Sequence, residues 1–199
     1  MKKLDILVVG VGGQGVILAS DIISETALSA QYDVKKADTL GMAQRGGSVI
    51  SHVRIGRQVR SPLIKKGEAN VLIAFEKLEA ARWSYYLQPG GVVVVNNHAV
   101  PPSSVNTGNE QYPNDQEITS ILKQRTDRIC FINGTRHARE LGNIRTLNIF
   151  MLGSASIFMP LETQAWEDTI SQHLSPNIRQ INIAAFRKGR KEMRNAHLG

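Results

Sequence analysis

The chain has 199 residues, 42% hydrophobic and 21% charged, and its 24 Lys and Arg against 17 Asp and Glu leave a net charge of +7. That length suits one compact domain over residues 1–199 and leaves no room for two full catalytic domains. A single cysteine, Cys130, excludes an intrachain disulfide and any all-cysteine metal or iron–sulfur site within the chain, and fits a reducing, cytoplasmic setting. No apolar run approaches the roughly 20 residues of a membrane span. The opening MKKLDILVVG has the outline of a short secretory signal, but Asp5 interrupts it and glycines follow at once. A buried first strand is the better reading.

Leu4 to Val9 predicts that strand. The glycine-rich segment Gly10 to Gly15 follows, and apolar residues then return at helical spacing from Val16 to about Ala30. Strand, glycine turn and helix open an α/β domain. Val34 to Ala37 reads as a short second strand. Ser48 to Ile55 alternates, with Val49, Val53 and Ile55 on one side and His52 and Arg54 on the other, which predicts a half-exposed strand. Val71 to Phe75 and Val92 to Val95 are short, apolar and β-branched, as interior strands are. Between them a helix is expected from Lys77 to Leu87, ended by Pro89-Gly90-Gly91. Asn96 to Asp115 reads as a long loop with room for a small strand, 116–127 as a helix, and Arg128 to Ile132 as a last central strand. Three helical stretches follow near 134–141, 146–158 and 163–173. A terminal amphipathic helix is expected over 177–192, turning Ile178, Ile181, Ala185 and Phe186 inward. The expected architecture is a Rossmann-like, doubly wound, mostly parallel sheet with helices on both faces.

Two glycine loops carry the chemistry. Gly10, Gly12 and Gly15 satisfy G-x-G-x-x-G between a strand and a helix. In that geometry Gly10 permits a tight turn, Gly12 lets a diphosphate approach the backbone, and Gly15 allows close helix–strand packing. Asp38, at the end of the second strand, is placed to bind a ribose. The same glycines also suit a turn with no ligand, and Gly13-Gln14 puts a long amide where dinucleotide folds often carry small or apolar residues. The second loop, Gly41 to Ser48, offers Gln44, Arg45, Gly46, Gly47 and the Ser48 hydroxyl. Arg45 suits bidentate contact with a phosphate or carboxylate, and the two glycines would let that anion, or a partner's backbone, come close. An exposed loop with a solvated arginine is the plainer alternative.

Together the loops resemble those of the gamma-type subunits of 2-oxoacid:ferredoxin oxidoreductases, and within them the beta subunit of indolepyruvate ferredoxin oxidoreductase. The matching segments are Gly12-Gly-Gln-Gly-Val16, Met42-Ala-Gln-Arg-Gly-Gly-Ser48, Ser61-Pro62-Leu-Ile64, Ala69 to Ala74, Leu87 to Val92 with Val95-Asn96, Ala138 to Asn143 with Asn148, and Asn182 to Gly189. The resemblance implies an accessory role in oxidative decarboxylation of a 2-oxoacid, with coenzyme A as acyl acceptor and ferredoxin as electron acceptor. Thiamine diphosphate and iron–sulfur clusters would lie in a large partner subunit. It further implies that Gly12, Gly13, Gln14 and Gly15 form a turn near the subunit junction, and that Met42, Arg45, Gly46 and Gly47 face the partner or its substrate channel. The basic tail, Arg187, Lys188, Arg190, Lys191 and Arg194, is longer than the resemblance covers.

No residue of the chain is read as catalytic. The five histidines show no metal-binding spacing, and no metal site is expected. His52 reads as a surface or interface residue. His98, beside Asn96 and Asn97 past the end of a strand, is better placed for a crevice. Cys130 reads as a small buried hydrophobe, and Ser20, Ser24 and Ser156 lack a G-x-S-x-G context. The charge alone would admit nucleic acid, but basic and aromatic residues do not alternate and no finger or helix-turn-helix is evident. The alternatives are a stand-alone nicotinamide or flavin nucleotide-binding oxidoreductase using Gly10, Gly12, Gly15 and Asp38, and a non-enzymatic interaction module.

Overall fold

The computed structural model of the chain describes residues 3–40 and 47–198. Six strands form one sheet: β1 (Leu4–Val11), β2 (Asp33–Leu40), β3 (Ser48–Gly56), β4 (Ala69–Ala74), β5 (Leu87–Asn96) and β6 (Ile129–Ile132). Their order is β2-β3-β1-β4-β5-β6. From β1 through β6 neighbours run parallel, whereas β3 is antiparallel to both β1 and β2. Alternate residues of the interior strands enter two cores, as a doubly wound sheet requires. Ile6, Val8, Val53, Ile73 and Val94 face α1 (Val16–Ser29), α6 (Leu147–Ala155), α7 (Thr163–His173) and α8 (Pro176–Leu198). Leu7, Val9, Leu72, Val93 and Val95 face α2 (Lys77–Trp83) and α4 (Asp115–Lys123). The short helices α3 (Ser103–Asn106) and α5 (Gly134–Glu140) fill the connections on either side of α4 and β6.

The expected doubly wound architecture is the observed one, with local corrections. β3 is not half-exposed: His52 and Arg54 are 5% and 8% exposed. β2 pairs along its outer edge, and the chain near Ser61 to Ile64 reaches back to its polar side chains. The Arg54 Nε and Nη2 donate to Asp5 at 3.0 and 3.3 Å, and Nη1 donates to the carbonyls of Ser61 and Leu63. Asp5, the one charge in the first apolar run, is therefore the buried partner of Arg54. His52 accepts the Ile64 N–H through Nδ1 and meets the Tyr86 ring edge-on. β6 is an edge strand rather than a central one, leaving Phe131 exposed and Cys130 half-buried. The loop after Asn96 holds the helix α3 instead of a strand. The helix from Lys77 stops at Trp83 and continues as a 3-10 turn through Tyr86. The expected helix over 116–127 begins at Asp115 because Asn114 and Glu117 form a reciprocal capping box.

Helix α6 is buried at all nine positions, so it is a core element rather than an amphipathic cover. It meets α8 backbone to backbone. A Cβ on Gly153 would stand 2.1 Å from the Phe186 carbonyl oxygen, and one on Gly189 would stand 2.1 Å from that of Phe150. On α8, Ala185, Phe186 and Met193 are buried, while Ile178 and Ile181 are only partly so.

Gly153→Ala and Gly189→Ala are each expected to lower stability by about 1–3 kcal/mol or more, seen as a lower urea midpoint, because backbone rather than a flexible side chain must give way. A second expectation concerns pH. Burial, then the Arg54 charge, hold the His52 pKa below its ordinary 6.5. Unfolding therefore takes up a proton at this residue. Its contribution is fully present above pH 6.5 and declines as pH falls from there toward the lower folded value. Denaturant titrations across that interval should show a shallower decline in His52→Gln than in the parent chain.

Candidate functional site

The site is built at the carboxyl ends of the parallel strands, where open α/β sheets place their ligands. The chain leaves β1 through Gly13 and Gly15, with φ of 99° and 82°, in the left-handed region where glycine is favoured. Gly15 is the N-cap of α1, and no side chain caps that helix. Among the described residues its leading N–H groups have no side-chain acceptor, and they carry the partial positive charge of the helix end. Asn148 of α6 packs on Gly15 so closely that a Cβ would lie 2.6 Å from Nδ2.

The glycines share the work differently from the expected division. Gly10 does not make the turn; a Cβ there would lie 2.8–3.0 Å from Gln14, Val16 and Phe75, so it serves close packing. Gly13 and Gly15 supply the turn. Gly12 donates its N–H to the Gly47 carbonyl at 2.9 Å, which ties the first glycine loop to the end of the second.

Gln14 folds back rather than outward. Its Oε1 accepts the Val11 N–H at 2.8 Å and its Nε2 donates to the Phe75 carbonyl at 3.2 Å, just past β4. The same carbonyl accepts the Asn96 Nδ2 at 3.0 Å from the end of β5. Asn96 is fully buried, and it also donates to Thr135 Oγ1 and accepts the Thr135 N–H at the start of α5. One polar latch thus fixes the ends of β1, β4 and β5 and the first turn of α5.

Above this latch opens a cavity of about 620 Å³, lined on one side by Gly13, Gln14 and Gly15 and on the other by His98, Arg139 and Arg145. Asn148 of α6 and Asn182 of α8 add amides, while Leu18, Leu147 and Ile178 supply apolar wall. Among the expected residues, Gly13, Gln14, Gly15 and His98 meet here, and Asn96 stands in the layer below. Asp38 stands apart. β3 separates its strand from β1, and its carboxylate is engaged by Ser51 (2.6 Å) and Lys36 (2.9 Å). The Ser48 hydroxyl donates to buried Glu79 and accepts the Trp83 indole N–H, on the α2 side of the sheet. Met42, Gln44, Arg45 and Gly46 lie outside the described residues; Gly47 is placed by Gly12. Thr135, Arg139, Arg145, Asn148 and Asn182 were not read from the sequence as site residues. The available signal was an asparagine opening the apolar stretch Leu147 to Leu152, at Asn148 in LNIFMLGSA.

Among the described residues no group of three or more His, Cys, Asp or Glu side chains is arranged to hold a metal ion, and no helix is long and apolar enough to cross a membrane. Burial pushes the Cys130 thiol up from its ordinary pKa, which disfavours the thiolate. Removing the latch has a defined cost. Asn96→Ala leaves the Thr135 N–H and part of the Phe75 carbonyl without partners, and Gln14→Leu does the same to the Val11 N–H. Each substitution is expected to lower stability by about 1–3 kcal/mol in denaturant titration.

Comparison with known proteins places this geometry in a family. The model for "Pyruvate ferredoxin/flavodoxin oxidoreductase" matches residues 5–192. The indolepyruvate oxidoreductase subunit IorB of Archaeoglobus fulgidus is 39% identical over 189 residues, covering 94% of each chain. Among solved structures, the gamma subunit of a keto/oxoacid ferredoxin oxidoreductase from Geobacter sulfurreducens matches with a TM-score of 0.72 at 22% identity, covering 96% of this chain and 99% of that one. A 2-oxoglutarate:ferredoxin oxidoreductase from Magnetococcus marinus, solved with 2-oxoglutarate, coenzyme A and succinyl-CoA bound, matches with a TM-score of 0.75 at 20% identity. There this chain, over 98% of its length, corresponds to 32% of the larger one. Those two structures share the fold; it is the family model and the collinear indolepyruvate oxidoreductase subunit that establish kinship, and by them the chain belongs to the pyruvate ferredoxin/flavodoxin oxidoreductase family as a gamma-type subunit of a multi-subunit oxidoreductase.

Proposed function

We propose that this chain completes a thiamine-diphosphate-dependent 2-oxoacid:ferredoxin oxidoreductase that converts an arylpyruvate, such as indolepyruvate, to its acyl-coenzyme A. The observation that carries this reading is the collinear likeness to an indolepyruvate oxidoreductase subunit over nearly all of the chain. In such an enzyme thiamine diphosphate serves as the electron sink for decarboxylation, and iron–sulfur clusters lead the electrons to ferredoxin. A chain with one cysteine, half-buried and with its thiol pKa raised, does not supply a cluster's ligand set. Those groups are assigned to the larger partner subunit.

What this chain contributes is electrostatic and positional. The start of α1, Arg139 and Arg145 line a cavity with apolar walls, an arrangement suited to an anionic group on a partly apolar carrier such as coenzyme A. The Gln14–Phe75–Asn96–Thr135 latch holds the cavity floor, so the glycine turn and the first turn of α5 are fixed before a ligand arrives. Arg45, two residues before the tethered Gly47, is read as a further anion contact, to a coenzyme A phosphate or the 2-oxoacid carboxylate. The nucleotide-dehydrogenase alternative loses support from Asp38, whose carboxylate is engaged away from the glycine turn.

A tagged chain recovered from its native cells under anaerobic conditions tests the reading. The expected eluate contains a larger brown, iron-containing partner and reduces a low-potential dye with thiamine diphosphate, coenzyme A and an arylpyruvate. A colourless, inactive chain recovered alone would overturn it. In the active complex, Arg45→Ala and Arg139→Ala are each expected to raise KM for coenzyme A or the 2-oxoacid about tenfold, the equivalent of one charge-assisted hydrogen bond. Unchanged Michaelis constants for both substrates would remove that residue from the site.

A further inference from the structure

The second half of α8 carries charge that the described residues do not balance. From position 187 to 194 stand Arg187, Lys188, Arg190, Lys191 and Arg194 against one carboxylate, Glu192, and Glu192 pairs with Lys188 at 2.7 Å. Arg187 binds Glu167 of α7 through both Nε and Nη2, at 2.8 and 2.6 Å. Arg190 is partly buried, donates to Ser156 Oγ at 2.6 Å and lies 5.8 Å over the Phe186 ring. Lys191 and Arg194 are exposed, and neither meets a carboxylate among the described residues.

These cations are not scattered. Arg187, Arg190, Lys191 and Arg194 stand at i, i+3, i+4 and i+7, on one helix face, and with Thr163 and Asn195 they line a groove of about 290 Å³. Like charges one turn apart weaken a helix, and burial together with Arg194 pushes the Arg190 pKa down. The fold holds this crowded strip in place through Glu167, Ser156 and Phe186, where an opposite charge from outside would relieve it.

We infer that this face of α8 docks a carboxylate-rich surface of the larger catalytic subunit, an inference that rests on the accessory-subunit reading above. A protein surface fits better than nucleic acid. The strip spans two helical turns, about 11 Å, and its one aromatic residue, Phe186, is fully buried and stacks no base. Its position also fits. Arg190 lies twelve residues beyond Ile178 on the cavity wall, about 18 Å along the helix, so a partner seated there leaves the cavity mouth open.

The test uses the purified complex and compares the parent chain with Lys191→Glu/Arg194→Glu, whose altered side chains have no carboxylate partner among the described residues. Arg190→Gln is the second variant, and thermal melting of each free chain checks folding. Binding of the large subunit is measured across increasing salt, beside a 20-base-pair DNA duplex as probe (about two helical turns). The expected result is a dissociation constant raised about tenfold or more at low salt in the double variant, with a flatter salt dependence. Equal affinity and equal salt dependence in folded variants would overturn the inference while leaving the accessory-subunit reading intact. Loss of DNA affinity alone would assign the strip to nucleic acid and overturn it as well. If the parent chain binds no large subunit, both readings fall.

Discussion

The carbonyl of Phe75 is the point on which the cavity end of the sheet turns. It accepts one amide from Gln14, in the turn after β1, and another from Asn96, at the end of β5. Strand ends in a parallel sheet are otherwise free to splay, because their last carbonyls face the loops rather than a neighbour. Two side-chain amides remove that freedom here at little entropic expense, since both are already confined by the fold. Thr135 then extends the constraint to the first turn of α5, and the cavity above inherits a floor whose polar groups are satisfied among themselves. Above that floor the cavity is lined by the helix end, the two arginines, His98 and the Asn148 and Asn182 amides.

Much of this was legible in the sequence, for specific reasons. β1, β4 and β5 announced themselves because strands buried on both faces need near-continuous β-branched and aliphatic runs. The G-x-G-x-x-G segment announced the turn and the helix behind it. Its internal division of labour was not legible: whether a glycine is needed for positive φ or for lack of volume depends on what packs against it. Gly10 lies under Gln14, which no local pattern foretells. β3 was misjudged for a related reason. Alternation with His52 and Arg54 describes a half-exposed strand until a second strand and a returning loop bury the polar side, and the loop's contribution is non-local. Asp5 offered the missing clue, since a carboxylate in an interior strand requires a buried cation.

The antiparallel β3 also separates this fold from the dinucleotide-binding arrangement its first loop suggests. In that arrangement the acid that grips the ribose stands on the strand beside β1. Here β3 occupies that place and Asp38 is moved one strand outward, where Ser51 and Lys36 engage it. The glycine turn is retained and its customary second contact is lost. The glycine turn stands without the acid that would read a sugar.

The contact between α6 and α8 has a mechanical meaning. Helices that touch through side chains have play, because rotamers adjust when one helix slides or rolls. Helices that touch at Gly153–Phe186 and Phe150–Gly189 meet with nothing soft between them. α8 is therefore a strut rather than a lever: a push on its basic end cannot be absorbed by side-chain rearrangement at the crossing. Displacement of that end carries α6 with it, and Asn148, packed on Gly15, carries the glycine turn. A load on the basic strip would therefore bear on α6 and, through Asn148, on the glycine turn as a whole, rather than on side chains within the pocket.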